Sequence, residues 1–287
     1  MKERVLKKIK LYLPLIKSLQ TALLLFTGIT GFMSAKCPVL NFKVFAGLVG
    51  SLFLTISGST ILNMYFDRDI DKKMPRTAHR PLASGEIEPR EAFYVGLFVS
   101  VLGLVWAISI SFLFAFILFL GIFFDVVIYT VWLKRRTPWS ILWGGISGGM
   151  PILAGRVLAI GRIDAIGILL AFSILLWIPT HILTFSMIYY EDYHKAGIPT
   201  FPSVYGFEYT RMIIFISSIG TAISISVGFL SLGMSWGYMR LLAVLTVGFV
   251  GLAVFTLLKH SQKTNFGLFK YASLYMLGAM LMIILGG

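Results

Sequence analysis

Three oxygen-bearing side chains recur at equal spacing in one short run, Asn63-Met-Tyr-Phe-Asp67-Arg-Asp69-Ile-Asp71-Lys-Lys. Asn63, Asp67 and Asp71 stand four residues apart, so in a helix they share one face. A stripe of hard oxygen donors suits Mg²⁺, which takes a few carboxylates and fills its remaining positions with phosphate oxygens. Lys72, Lys73, Arg76 and Arg80 follow at once and supply positive charge for the rest of a phosphate group. The plain alternative is a solvated loop at a membrane edge in which acids and bases neutralise each other. Only 12 of 287 residues are Asp or Glu, and ionisable groups gathered at a membrane edge favour the functional reading.

The elements that must position this stripe are membrane helices. With 57% hydrophobic residues and a mean hydropathy of +0.87, the apolar side chains cannot all enter one soluble core. Apolar stretches of about twenty residues, the length that crosses a bilayer, are drawn at 12–33, 44–66, 92–110, 112–133, 139–160, 163–187, 212–232, 238–258 and 268–286. The runs are continuous and do not alternate, so they predict helices and not barrel strands. The expectation is an all-α polytopic bundle of about nine transmembrane helices, one domain over 1–287. Gly144, Gly148, Gly149 and Pro151 within a span are tolerated where neighbouring helices satisfy the backbone, and Gly144-x-x-x-Gly148 predicts close helix packing.

The net charge of +13 does not point to nucleic acid, because the bases collect in alternate loops. About nineteen of the 25 Lys and Arg fall in the N-terminal segment, the 67–91 loop, the Lys134-Arg135-Arg136 turn, the 188–211 loop and the Lys259 to Lys270 loop. By the positive-inside rule the N-terminus and these loops are expected in the cytoplasm and the C-terminus outside. No small-residue cleavage site follows the first apolar run, which is therefore kept as structure. Cys37 is the only cysteine, which excludes an intrachain disulfide or a cysteine zinc cluster.

Two cytoplasmic loops, 67–91 and 188–211, are longer and more polar than a connection needs. The second reads Tyr189-Tyr190-Glu191-Asp192-Tyr193-His194-Lys195-Ala196-Gly197-Ile198-Pro199-Thr200, with Gly and Pro closing any helix soon after the charges. They follow the second and sixth spans, which predicts two acidic edges on a shared cavity. No residue-level repeat accompanies that layout.

The loop from Asn63 to Gly85, with Asn-x-x-x-Asp-x-x-x-Asp and Arg80-Pro81-Leu82, resembles the UbiA superfamily of intramembrane prenyltransferases. Within it, four stretches are most similar to the branch of protohaem IX farnesyltransferases. They are Asp67 to Thr77, Tyr129-Thr-Val-Trp-Leu-Lys134-Arg135-Arg136-Thr137, Trp177-Ile-Pro179-Thr-His181, and Asp192 to Pro199. Tyr189 and Tyr193 stand where quinone and archaeal-lipid members carry a second pair of aspartates. Ser140 replaces an expected Asn, and Ser18-Leu19 follow Lys17 where Pro-Arg is usual.

The resemblance implies transfer of an isoprenyl group, farnesyl in the haem branch, from its diphosphate to a lipophilic acceptor, with release of pyrophosphate. The haem branch uses a vinyl group of protohaem (haem b), giving haem O after addition of water. An aromatic quinone precursor and an archaeal glycerol-phosphate lipid remain alternative acceptors. Two Mg²⁺ ions are implied, one held by Asn63, Asp67 and Asp71, the second by Asp192 with Glu191. Arg76, Arg80, Lys134, Lys195 and Lys17 are the candidate diphosphate ligands, arginine as a fork and lysine as a point charge. Tyr129 either faces the developing cation or packs against lipid. His181 either ligates or orients haem iron or is a hydrogen-bonded structural histidine. Asp125, inside a span, is a site residue or the partner of a polar group on a neighbouring helix. His79, His194 and His260 are expected in water. A secondary transporter also carries intramembrane charge, but these acids gather at one membrane face and not at the midplane.

Overall fold

The computed structural model describes residues 11–35 and 41–286, so Cys37 and the basic run before Leu11 lie outside the described residues. Nine principal helices run in order: α1 (Ser18–Met33), α2 (Phe42–Lys73), α3 (Pro89–Ile110), α4 (Phe112–Leu133), α5 (Ser140–Ile160), α6 (Ala165–Ile188), α7 (Gly206–Ser231), α8 (Trp236–Leu258) and α9 (Gln262–Gly286). There is no strand among the described residues. Eight helices, α2 to α9, are long and apolar enough to cross a membrane, and α1 is a shorter apolar helix of 16 residues.

Helices α7 and α9 begin about six residues before the expected 212 and 268, at Gly206 and Gln262, and two other boundaries differ for local reasons. The first span does not start at residue 12. Pro14 interrupts the chain, and Lys17 takes a left-handed conformation (φ 46, ψ 62) that no helix can pass through. The second span does not stop at residue 66. It stays helical to Lys73 and ends at Met74 in an extended conformation, as the residue before a proline must. The acidic stripe therefore lies on helix and not on loop.

Packing is tightest between α2 and α3, α5 and α6, α6 and α7, and α1 and α5. At the α1/α5 crossing a Cβ on Gly155 would fall 1.9 Å from the Gly28 carbonyl oxygen, and one on Gly31 at 1.9 Å from that of Ile152. The two backbones touch, as small residues permit in a bilayer. Gly149 allows a similar approach to α6, where a Cβ would meet the Ala171 carbonyl oxygen at 2.8 Å, while Gly148 faces the tip of the Ile178 side chain. Pro179 removes a backbone donor inside α6. One residue beyond the Leu175 carbonyl that loses its donor, the Ser217 hydroxyl of α7 donates to the Leu176 carbonyl and ties α7 to that turn.

A charged clasp closes the end of the bundle opposite the acidic stripe. Arg156 of α5, 6% exposed, donates to both oxygens of Asp164 at 2.7 to 3.0 Å and to the Ser34 carbonyl at 2.7 Å. Asp164 also caps α6 by accepting from the Gly167 amide at 2.8 Å. Asp164→Ala should destabilise the protein by about 3 kcal/mol, because Arg156 would stay buried without its counter-charge. The Arg156 hydrogen bonds hold the Asp164 carboxyl below its ordinary range. The clasp is therefore at full strength above the unfolded value of about 4 and fades as pH falls through the lower folded one. Thermal midpoints of the detergent-solubilised variant and wild type at neutral pH test this, and equal midpoints would show the clasp to be idle.

Candidate active site

The stripe on α2 is longer than the three residues singled out in the sequence. Ser59, Asn63, Asp67 and Asp71 all point inward at four-residue intervals and are buried. The second half of α4, Phe123–Leu133, is a π-helix, and the Lys134 amide continues it by donating to the Tyr129 carbonyl at 2.8 Å. π-Helical turns are rare and frequent at functional sites. With bonds spanning five residues, this wider helix brings Asp125 and Thr130, and then Tyr129 and Lys134, onto one side. These side chains meet the stripe pair by pair.

Asp125 accepts from the Ser59 hydroxyl and from the Asn63 amide at 2.7 Å, and Thr130 donates to the Asn63 oxygen at 2.9 Å. Lys134 reaches Asp67 at 2.5 Å. Burial would push the Lys134 ammonium down, but the Asp67 carboxylate and the Tyr129 hydroxyl outweigh it and hold it above the usual lysine range. One level further on, Arg80 donates to both Asp71 oxygens at 2.9 Å. On the outer side Arg135 forks onto Asp69 at 2.7 Å and donates to the Phe66 carbonyl. That exposed fork ties the turn after α4 to α2. Lys17, half-buried at the start of α1, lies within electrostatic reach of Asp67, Asp125, Arg80 and Lys134.

The second acidic loop docks on the first. Ala196 and Ile198 are buried against Ile70 and Met74, with Tyr193 packed beside them. Asp192 lies half-buried in the short helix Tyr190–Lys195; its carbonyl accepts from the Ala196 amide at 3.1 Å, while its carboxylate makes no hydrogen bond or ion pair among the described residues. Glu191 and Lys195 are exposed. Arg76 bridges the halves: its guanidinium lies 5.1 Å from the Phe185 ring and 5.0 Å from that of Tyr189, a cation–π arrangement.

Trp177, His181, Phe185 and Tyr189 themselves follow a four-residue period, and so line one side of α6. His181 is stacked between Trp177, with centroids 4.8 Å apart, and Phe269 of α9, at 4.5 Å. Its Nδ1 is 3.3 Å from the Ser273 hydroxyl. Tyr129 is half-buried, with its ring against Gly144 and its centroid 5.7 Å from the Lys134 Nζ, so it belongs to the cluster. His79, His194 and His260 are exposed as expected.

Several buried polar atoms have no partner among the described residues. Asp67 Oδ1 and Arg76 Nε lie at the two halves of the site, and Asn265 Oδ1 sits beside α6, where the same amide donates to the Thr184 carbonyl at 2.9 Å. An orphaned carboxylate oxygen flanked by lysine and arginine fits a divalent cation that brings a phosphate with it. Among the described residues no group of three or more His, Cys, Asp or Glu could hold a metal alone. Ser59, Thr130 and Asn265 went unnoticed in the sequence. The four-residue period could have revealed Ser59, whereas nothing in sequence announces a π-helix.

The sequence profile of the UbiA prenyltransferase family matches residues 24–276. The chain is 41% identical over 204 residues to a protoheme IX farnesyltransferase of Archaeoglobus fulgidus, covering 71% of each chain. It is 42% identical over 214 residues to one of Korarchaeum cryptofilum, covering 74% of this chain and 72% of the relative. Among solved structures, a digeranylgeranylglyceryl phosphate synthase superposes with a TM-score of 0.82 at 21% identity over 98% of both chains. A UbiA homologue from Archaeoglobus fulgidus bound to DMAPP and Mg²⁺ gives a TM-score of 0.72 at 17% identity, covering 95% of this chain and 98% of that one.

Proposed function

Because the chain belongs to the UbiA prenyltransferase family, we propose that this membrane enzyme transfers a farnesyl group from farnesyl diphosphate to a vinyl group of protohaem IX, releasing pyrophosphate. The observation that carries the reading is the buried, partnerless Asp67 oxygen beside cations that are now paired with the stripe. The names of the relatives at 41% and 42% identity support haem as the acceptor. The homologue bound to DMAPP and Mg²⁺ supports the diphosphate and the metal.

Asn63, Asp67 and Asp71 would hold one magnesium ion, and Asp192, with Glu191 beside it, a second. Bound there, magnesium supplies neutralisation of the charge that builds on the departing diphosphate. Arg80 and Lys134, which pair with Asp71 and Asp67, are in place to turn onto diphosphate oxygens, with Lys17 and Arg76 as further cations and Lys195 at the rim. Such charges are preorganised and need little rearrangement as the carbon–oxygen bond breaks. The apolar bundle keeps water from the allylic cation, and the Tyr129 ring faces it. The cation carbon bonds to the vinyl terminus; water then adds to the adjacent carbon and loses a proton, leaving a hydroxyethylfarnesyl group.

His181 is the acceptor-side residue of this reading. Its Nδ1 is steered by Ser273, the tether that metal-binding histidines use to aim the other nitrogen, here toward haem iron. Haems extracted from cells with and without the protein should differ by haem O in mass spectra. Ferric haem titrated into the purified protein should give a Soret shift that His181→Ala loses. Prenylated quinone precursor or glycerol-phosphate lipid in place of haem O would move the reaction to another acceptor. The loop charges support a cytoplasmic N-terminus and site loops. A reporter inserted near Ser84 should therefore report cytoplasm and one fused after Gly287 the exterior, the reverse pattern inverting the orientation.

A further inference from the structure

Asp125 is the carboxylate for which the reaction above has no use. It sits in the π-helical half of α4, within a span where an ionisable side chain persists only with partners. Its partners are both on α2: one oxygen, Oδ2, accepts from the Ser59 hydroxyl and from the Asn63 amide at 2.7 Å. The other end of the same amide accepts from Thr130 at 2.9 Å. One π-helical segment thus grips the Asn63 side chain at both ends.

That grip decides which way the amide faces. An asparagine has almost the same shape in either orientation, and only its hydrogen bonds distinguish oxygen from NH₂. A carboxylate oxygen bearing two donors must face the NH₂ end. The Asn63 oxygen is thereby directed to Thr130, which occupies one of its two lone pairs and leaves the other. With the amide reversed, Asn63 would offer hydrogens where a cation requires an oxygen.

We propose that Asp125 is a positioning residue that holds the Asn63 amide with its oxygen toward the divalent-cation site, and so sets the affinity of the Asp67 and Asp71 stripe for that cation. The inference rests on the reading of Asn63 as a metal ligand. Removing an outer-shell partner of this kind weakens metal binding by about tenfold or more.

The test is Mn²⁺ binding, followed by electron paramagnetic resonance, to the full-length protein in detergent with inorganic pyrophosphate present. Asp125→Leu should weaken binding by about tenfold. Asp125→Asn should stay near wild type, because its carbonyl oxygen accepts the same two hydrogen bonds. The exchange variant N63D/D125N, with the amide on α4 donating to a carboxylate on α2, should recover what D125L loses. Wild-type affinity in D125L, or D125N as weak as D125L, would overturn the proposal. If D125L is not recovered folded, Thr130→Val replaces it. It frees the other end of the amide and should weaken binding in the same direction, and wild-type binding by that variant overturns the proposal. Asn63→Ala separates the two levels. If it binds Mn²⁺ as wild type does, the reading of Asn63 as a metal ligand fails; if it weakens while D125L does not, only the role of Asp125 fails.

Discussion

Asp67→Asn and Asp71→Asn should each lower turnover by about a thousandfold or more while leaving a folded, extractable protein. The side chains keep their shape, so packing along α2 is preserved. What disappears is charge: Asp67 loses the anionic character of the oxygen that has no protein partner, and Asp71 loses the carboxylate that takes both hydrogen bonds from Arg80. The loss should appear in kcat and in kcat/KM together, the pattern of an interaction made in the transition state. Initial rates of pyrophosphate release from farnesyl diphosphate, measured beside thermal unfolding curves, check it. Near-normal rates in either variant would remove the stripe from the chemistry.

The other large effect is expected at the second loop, where only one acid is suitably placed. Asp192 is half-buried and its carboxylate has no hydrogen bond or ion pair among the described residues, whereas Glu191 is exposed. Asp192→Ala should reduce the rate by about a hundredfold, the scale for losing one electrostatic contact in a transition state. Glu191→Ala should cost far less. Lys195→Ala, from the exposed side of the same turn, should raise KM for farnesyl diphosphate without changing the Mg²⁺ dependence. Rates measured against Mg²⁺ and diphosphate for the three variants separate these outcomes. Equal damage from the two acid variants would mean that the pair shares the second ion; no damage from either would leave the first stripe to act alone.

Much of this was legible in the sequence because its signals are local and periodic. Hydropathy located α2 to α9, and the four-residue recurrence of Asn63, Asp67 and Asp71 placed them on one face before any helix was known. Two of the misplaced boundaries were governed by single residues: Pro14 and Lys17 delay α1, and α2 runs past residue 66 until Met74, ahead of Pro75, ends it. The pairing of Lys134 with Asp67 and of Arg80 with Asp71 was hidden, since a list of bases does not say which acid each one meets. Asp125 was ambiguous for the same reason. Its meaning depends on a helix wound to a different pitch, and pitch leaves no hydrophobic signature when every neighbour is apolar.

The touching backbones of α1 and α5 bear on how firmly Lys17 is held. Most helix contacts immobilise long side chains, and each one frozen costs conformational entropy. At Gly28, Gly31 and Gly155 there are no rotamers to freeze, so this crossing forms without that penalty and offers no alternative packing to slide into. It acts as a fixed pivot about three turns from the start of α1. The Lys17 backbone therefore hangs from an anchor fixed relative to the acids, and only its own side-chain torsions decide which of them its ammonium group meets.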